Sequence, residues 1–162
     1  MASAMSGSVP AASPRTPRPF PAIVLGGFIV GVLDLAYAII VYSPHRPILV
    51  PQTIASGVLG MKSYGGGMPT AALGIVLHFV IALGAATVYY LASRKLPFLV
   101  RRAVIGGLTF GALVYFFMHF VVLPLSAVPP GHTRLVYQAF EFVEHWFCVG
   151  LPISLSVRHY SK

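Results

Sequence analysis

Three side chains in this chain can ionise as acids, Asp34, Glu141 and Glu144, and all of them fall inside long apolar runs. Three of the six histidines, His78, His119 and His145, do the same. An ionisable group in hydrocarbon costs a few kcal/mol on insertion scales, so such groups face protein or water and mark function. Imidazole beside carboxylate supports two chemistries. It can relay protons, because histidine titrates near neutral pH and chains of His and carboxylate recur in proton pathways. It can also bind a metal such as Fe, Mn or Zn, for which His78, His119, Glu141 and His145 are the expected ligands.

The spacing sorts these residues onto helical faces. Glu141, Glu144, His145 and Cys148 follow i, i+3, i+4, i+7, a single stripe. Gly107, Gly111, Tyr115 and His119 are four apart, which makes Tyr115 a supporting neighbour of His119. Asp34 continues a face from Gly27 and Gly31 to Ala38, and His78 shares one with Gly74, Ala82 and Ala85. Small residues let membrane helices approach closely, so each polar group shares a face with a packing seam. At about 1.5 Å per residue, Asp34 lies about 13 Å below a helix end near Ser43, and His78 about 12 Å below Thr70. His119 and Glu141 come out roughly 8 Å deep, and Glu144 and His145 about 12–14 Å. All six collect in the same half of a bilayer.

The elements that position them are membrane spans. The 162 residues are 57% apolar and 9% charged, too little polar surface for a water-soluble globule. Apolar runs at about 20–42, 70–93, 103–124 and 136–157 each suit a bilayer core about 30 Å thick. The expected fold is all-α, a polytopic four-transmembrane-helix bundle over 20–158. Residues 1–19, rich in Ala, Ser and Pro, read as a disordered tail. Residues 51–62 read as a short interfacial or re-entrant helix ended by Gly65-Gly66-Gly67. That glycine run lacks the Gly-Lys-Ser/Thr ending of a phosphate loop and reads as a turn. A signal peptide cleaved after Ala36-Tyr37-Ala38 is opposed by the apolar run continuing through Ile39-Ile40-Val41.

Basic residues set the expected orientation. Arg15, Arg18, Arg94, Lys95, Arg101, Arg102, Arg158 and Lys162 lie on one side, against Arg46, Lys62 and Arg134 on the other. By the positive-inside tendency both termini are cytoplasmic. The net charge of +8 is then explained by anionic lipid and topology rather than nucleic acid. Tyr42, Tyr89 and Tyr90 read as interfacial anchors and the single Cys148 as a packing residue. His45, His132 and His159 fall in loops or the tail, and Pro152 is expected to kink the last helix.

From about residue 74 to 158 the chain resembles the YagU-like family of small bacterial inner-membrane proteins. The likeness is carried by His78, Tyr90, Gly107, Gly111, His119, Pro124-Leu125, Pro129-Pro130, Glu141, His145 and Arg158. It implies an inner-membrane location and a link to acid tolerance, with no assigned reaction. Only His78, His119, Glu141 and His145 carry over as shared polar positions; Asp34 and Glu144 lie outside the family's pattern.

Three readings follow. One is proton or ion handling, or pH response, with Glu141 and Glu144 sharing a proton across one helical turn. Another is metal binding, with haem b between His78 and His145 as a variant. The last is a structural or accessory subunit, alone, as a homo-oligomer or in a larger complex, whose polar groups merely hold helices together. No Ser-His-Asp order with a nucleophile turn and no nucleotide motif is present.

Overall fold

The computed structural model describes residues 18–130 and 134–161; the tail expected over 1–19 falls almost wholly outside them, as does His132. The described residues are helical, with no strand among them. Helix α1 spans Pro19–Tyr42, α2 Leu49–Leu59, and a 3-10 segment Gly60–Gly65 leads into α3, Gly67–Lys95. A short α4, Phe98–Arg101, precedes α5, Ala103–Phe117, which continues through a π turn, Met118–Val122, into α6, Leu123–Leu125. The last segment comprises α7, Leu135–Glu144, a second π turn, His145–Gly150, and α8, Leu151–Tyr160.

Three helical stretches are long and apolar enough to cross a membrane: Pro19–Tyr42, Gly67–Lys95 and Ala103–Leu125. With 24, 29 and 23 residues, each reaches at least about 35 Å, more than a hydrocarbon core of about 30 Å. Their outward faces are what a bilayer solvates. Phe28, Val80, Val88, Leu113 and Phe120 are each more than half exposed, a surface that water would not tolerate in a monomer. This is the profile of an integral membrane protein. The expected fourth span is helical from 135 to 160 but is not among the three, because Glu141, Glu144 and His145 dilute its apolar character.

Residues 51–62 do form a short helix, displaced to Leu49–Leu59 and closed by the 3-10 segment. At 11 residues it covers only about 16 Å and cannot span. It lies instead against α3, where its Gln52 donates from Nε2 to the Gly67 carbonyl (3.2 Å) and reaches Thr70 Oγ1 (3.4 Å). The seat is a glycine: a Cβ at Gly74 would run into the Pro51 carbonyl. Gly74→Val should therefore lift α2 from α3, seen as faster amide exchange confined to 49–66.

Chain ends fix which way the segments run. The Arg18 N–H donates to the Tyr160 carbonyl at 3.0 Å, so the start of α1 and the end of α8 meet. At the far end, Tyr42 Oη donates to the Tyr137 carbonyl (3.4 Å) and the two rings meet edge-on at 5.8 Å. Between these ends α1 packs on α3 and α8, and α5 packs on the second π turn and α8. The apolar core sits in the half nearer the termini, around Val30, Ala86, Tyr89, Val149, Ile153 and Val157. Tyr89 and Tyr90 belong to it, 1% and 8% exposed, and are not interfacial anchors. Tyr89 packs edge-on against Phe110 and donates to the Leu99 carbonyl at 3.1 Å.

Candidate functional site

Both π turns sit just upstream of a proline. Pro124 and Pro152 have no N–H to give to the carbonyls four residues back, Phe120 and Cys148. The widened turns Met118–Val122 and His145–Gly150 absorb that break. Each contains a histidine, His119 in the first and His145 in the second, so the irregularity falls where the polar side chains are.

The second turn can sit against α5 because neither backbone carries a side chain at the crossing. A Cβ on Gly150 would strike the Gly107 carbonyl, and one on Gly111 the His145 carbonyl. On the other side of the molecule Gly31 of α1 admits Phe79 of α3, with a hypothetical Cβ 2.5 Å from its ring. The sequence faces therefore do coincide with the packing seams at these positions.

The six polar residues form three imidazole–carboxylate pairs. His78 Nε2 lies 3.9 Å from Asp34 Oδ2, joining α3 to α1. His119 Nε2 lies 4.0 Å from Glu141 Oε2, joining the first π turn to α7. His145 Nδ1 lies 2.9 Å from Glu144 Oε2. Backbone carbonyls hold two of the rings: His78 Nε2–H donates to Gly31 O (3.0 Å) and His145 Nδ1–H to Glu141 O (2.8 Å). Nδ1 of His145 therefore faces the Glu141 carbonyl and the Glu144 carboxyl at once.

A contact between carboxyls ties the pairs together. The Asp34 and Glu144 carboxyls lie close enough to interact directly, and both are within electrostatic reach of His145. Glu144 is the deepest of the set, its side chain 2% exposed against 26% for Asp34. With both groups ionised neither has a hydrogen to give, and Glu144 Oε1 and Oε2 are then buried without a hydrogen-bond partner. Glu144 thus has two carboxyl neighbours, Asp34 across the helix interface and Glu141 one turn away on its own helix, while Glu141 also lies near His119.

Tyr115 links the remaining members. Its ring is buried, 4.3 Å from His119 and 5.5 Å from His145 between centroids, and it meets Phe142 at 5.1 Å. Truncating it in Tyr115→Ala should loosen both imidazoles and cost about 3 kcal/mol, checked by thermal unfolding in detergent, whereas Tyr115→Phe should cost far less.

Two participants were not expected from sequence. Cys148, read as a packing residue, lies beside the Glu144 carboxyl; its place on the 141, 144, 145 stripe was the available signal. The indole Nε1 of Trp146 is buried without a partner, and nothing in the spacing pointed to it; Nδ1 of His119, an expected residue, is likewise buried without one. The metal expectation fares differently. Among the described residues no group of three or more His, Cys, Asp or Glu side chains is arranged to hold a metal ion. His78, His119, Glu141 and His145 fall into separate pairs instead of one ligand set.

No protein-family model, curated protein or solved structure matches the chain.

Proposed function

We propose that this is a small polytopic inner-membrane protein whose buried His/carboxylate chain takes up and passes protons, or responds to external pH. The observation that carries the reading is the Asp34–Glu144 contact between α1 and α7, with His145 2.9 Å from Glu144 and His78 3.9 Å from Asp34. Carboxyl and imidazole groups in series are the usual material of a proton relay. The resemblance to the YagU-like family, with its link to acid tolerance, favours the same reading.

Residues 135–160 complete a bundle as its fourth span. Phe140, Val143, Phe147 and Leu155 face outward while Glu144 and His145 are buried, so the lipid-facing side is apolar even though the segment as a whole is not. The basic residues gathered at the termini orient that end to the cytoplasm, leaving the polar chain in the outer half of the membrane.

Bundle glue explains the cluster poorly. Two of the three ion pairs are 3.9 and 4.0 Å long, beyond hydrogen-bonding distance. His119 Nδ1 and Trp146 Nε1 are buried without hydrogen-bond partners, and the buried Glu144 carboxylate makes its one ion pair with a histidine. Half-satisfied polar networks are worse for stability than an apolar core, so their presence calls for another reason. Metal binding has the donor types but not the grouping, and nothing in the geometry favours haem between His78 and His145. Elemental analysis of the purified protein should find Fe, Mn and Zn below stoichiometric amounts.

The direct test is reconstitution into liposomes with an imposed pH gradient and a trapped pH dye. The wild-type chain should collapse the gradient faster than empty vesicles. Equal rates would remove the proton-passing form of the reading.

A further inference from the structure

Six cationic residues, Arg18, Arg94, Lys95, Arg101, Arg102 and Arg158, lie where α1 begins, α3 ends, α5 begins and α8 ends. Contacts bring these points together: Arg18 N–H meets the Tyr160 carbonyl at 3.0 Å, and α4 packs on both α5 and α8. The acids are all elsewhere, each opposite a histidine, and among the described residues no Lys or Arg has a carboxylate partner. Arg158 is half-buried and the other five are exposed.

Helix dipoles account for part of this pattern. Arg94 and Lys95 close α3, and Arg158 lies in the last turn of α8, both negative ends that attract cations. Arg101 and Arg102 stand at the junction of two helices: Arg101 ends α4, and Arg102 directly precedes α5, at its positive end, with no acidic residue in its first turn. The two adjacent guanidinium groups repel each other, and Arg102 also opposes the α5 dipole, an arrangement that an external anion relieves. The end faces of the spanning helices lie level with lipid head groups, so the anion within reach is a lipid phosphate.

We propose that this end of the molecule is a binding surface for the phosphate head groups of anionic phospholipid, with Arg101 and Arg102 its principal contacts. The inference stands apart from proton handling and survives if that reading fails. Guanidinium pairs suit phosphate geometry, donating in a fixed fork. Each cation near a charged leaflet adds roughly fivefold to affinity.

The test uses the full chain in mild detergent, titrated with phosphatidylglycerol or phosphatidylcholine and read by native mass spectrometry. The wild type should retain phosphatidylglycerol preferentially, and the preference should fall with added salt. The double variant Arg101→Gln/Arg102→Gln should lose roughly thirtyfold of that preference with unchanged helix content. Arg46→Gln/Arg134→Gln, at the opposite end, should keep it. An unchanged preference in the first pair, or an equal loss in the second, overturns the assignment. Displacement of the lipid by inorganic phosphate at matched concentration would also overturn it, since the surface would then bind free phosphate rather than a membrane lipid.

Discussion

Replacing Glu144 with Gln should lower proton flux in liposomes by roughly a hundredfold or more, the scale of a positioned proton-transfer group. It should do so without unfolding the protein. The glutamate side chain is 2% exposed, in contact with Asp34, and both its oxygens lack a donor when ionised. A glutamine of nearly the same shape supplies that donor permanently: its amide N–H can bond to the Asp34 carboxylate. The variant's melting temperature should therefore equal or exceed that of the wild type, as happens when a strained functional group is made structurally comfortable. Glu141→Gln should have the smaller effect, because Glu141 is half-buried and 4.0 Å from His119. Flux that survives Glu144→Gln but vanishes in Glu141→Gln would assign the exchangeable proton to the wrong glutamate.

The second large effect concerns the fold. Gly150→Val should destabilise the protein by about 3 kcal/mol or more, measured by unfolding in mixed detergent. A side chain there must push against the Gly107 carbonyl and the Gly111 nitrogen, both backbone atoms that cannot swing aside, and overpacking of this kind is expensive. Gly84→Ala provides the contrast: nothing lies within 4 Å of its would-be Cβ, and the change should stay within about 0.5 kcal/mol. The two glycines look equivalent in a sequence. If Gly150→Val were as mild as Gly84→Ala, the crossing that carries His145 against α5 would be misplaced, and the polar contacts with it.

Much of this was legible beforehand, for identifiable reasons. Hydrocarbon makes ionisable residues so costly that Asp34, Glu141, Glu144, His78, His119 and His145 stood out by location alone. Helical periodicity put 141, 144, 145 and 148 on one face, and α7 with its π turn keeps them together. Pairing was not legible. An i, i+3 relation makes Glu141 and Glu144 neighbours on their own helix, but which group of α1 meets Glu144 depends on how α1 packs against the second π turn, a tertiary contact that no spacing encodes. Pro152 signals a break in the last helix, and Pro124, which widens a second turn at His119, carries the same signal. Tyr89 and Tyr90 resembled anchors because they lie near a helix end, yet the close approach of α5 at Gly106 turns that end inward, with Tyr89 Oη 2.8 Å from a would-be Cβ there. Residues 136–157 read as a fourth span equal to the others, but the side chains that make the helix interesting also make it the least apolar.

Infrared spectroscopy of the reconstituted protein with isotope-labelled Asp and Glu tests the proposed proton between Asp34 and Glu144 directly. Near neutral pH the wild type should show a protonated-carboxyl absorption that disappears in the Asp34→Asn/Glu144→Gln double variant and persists in Glu141→Gln. A spectrum containing only ionised carboxylates under those conditions, or an absorption untouched by the double variant, would contradict the pairing of Asp34 with Glu144.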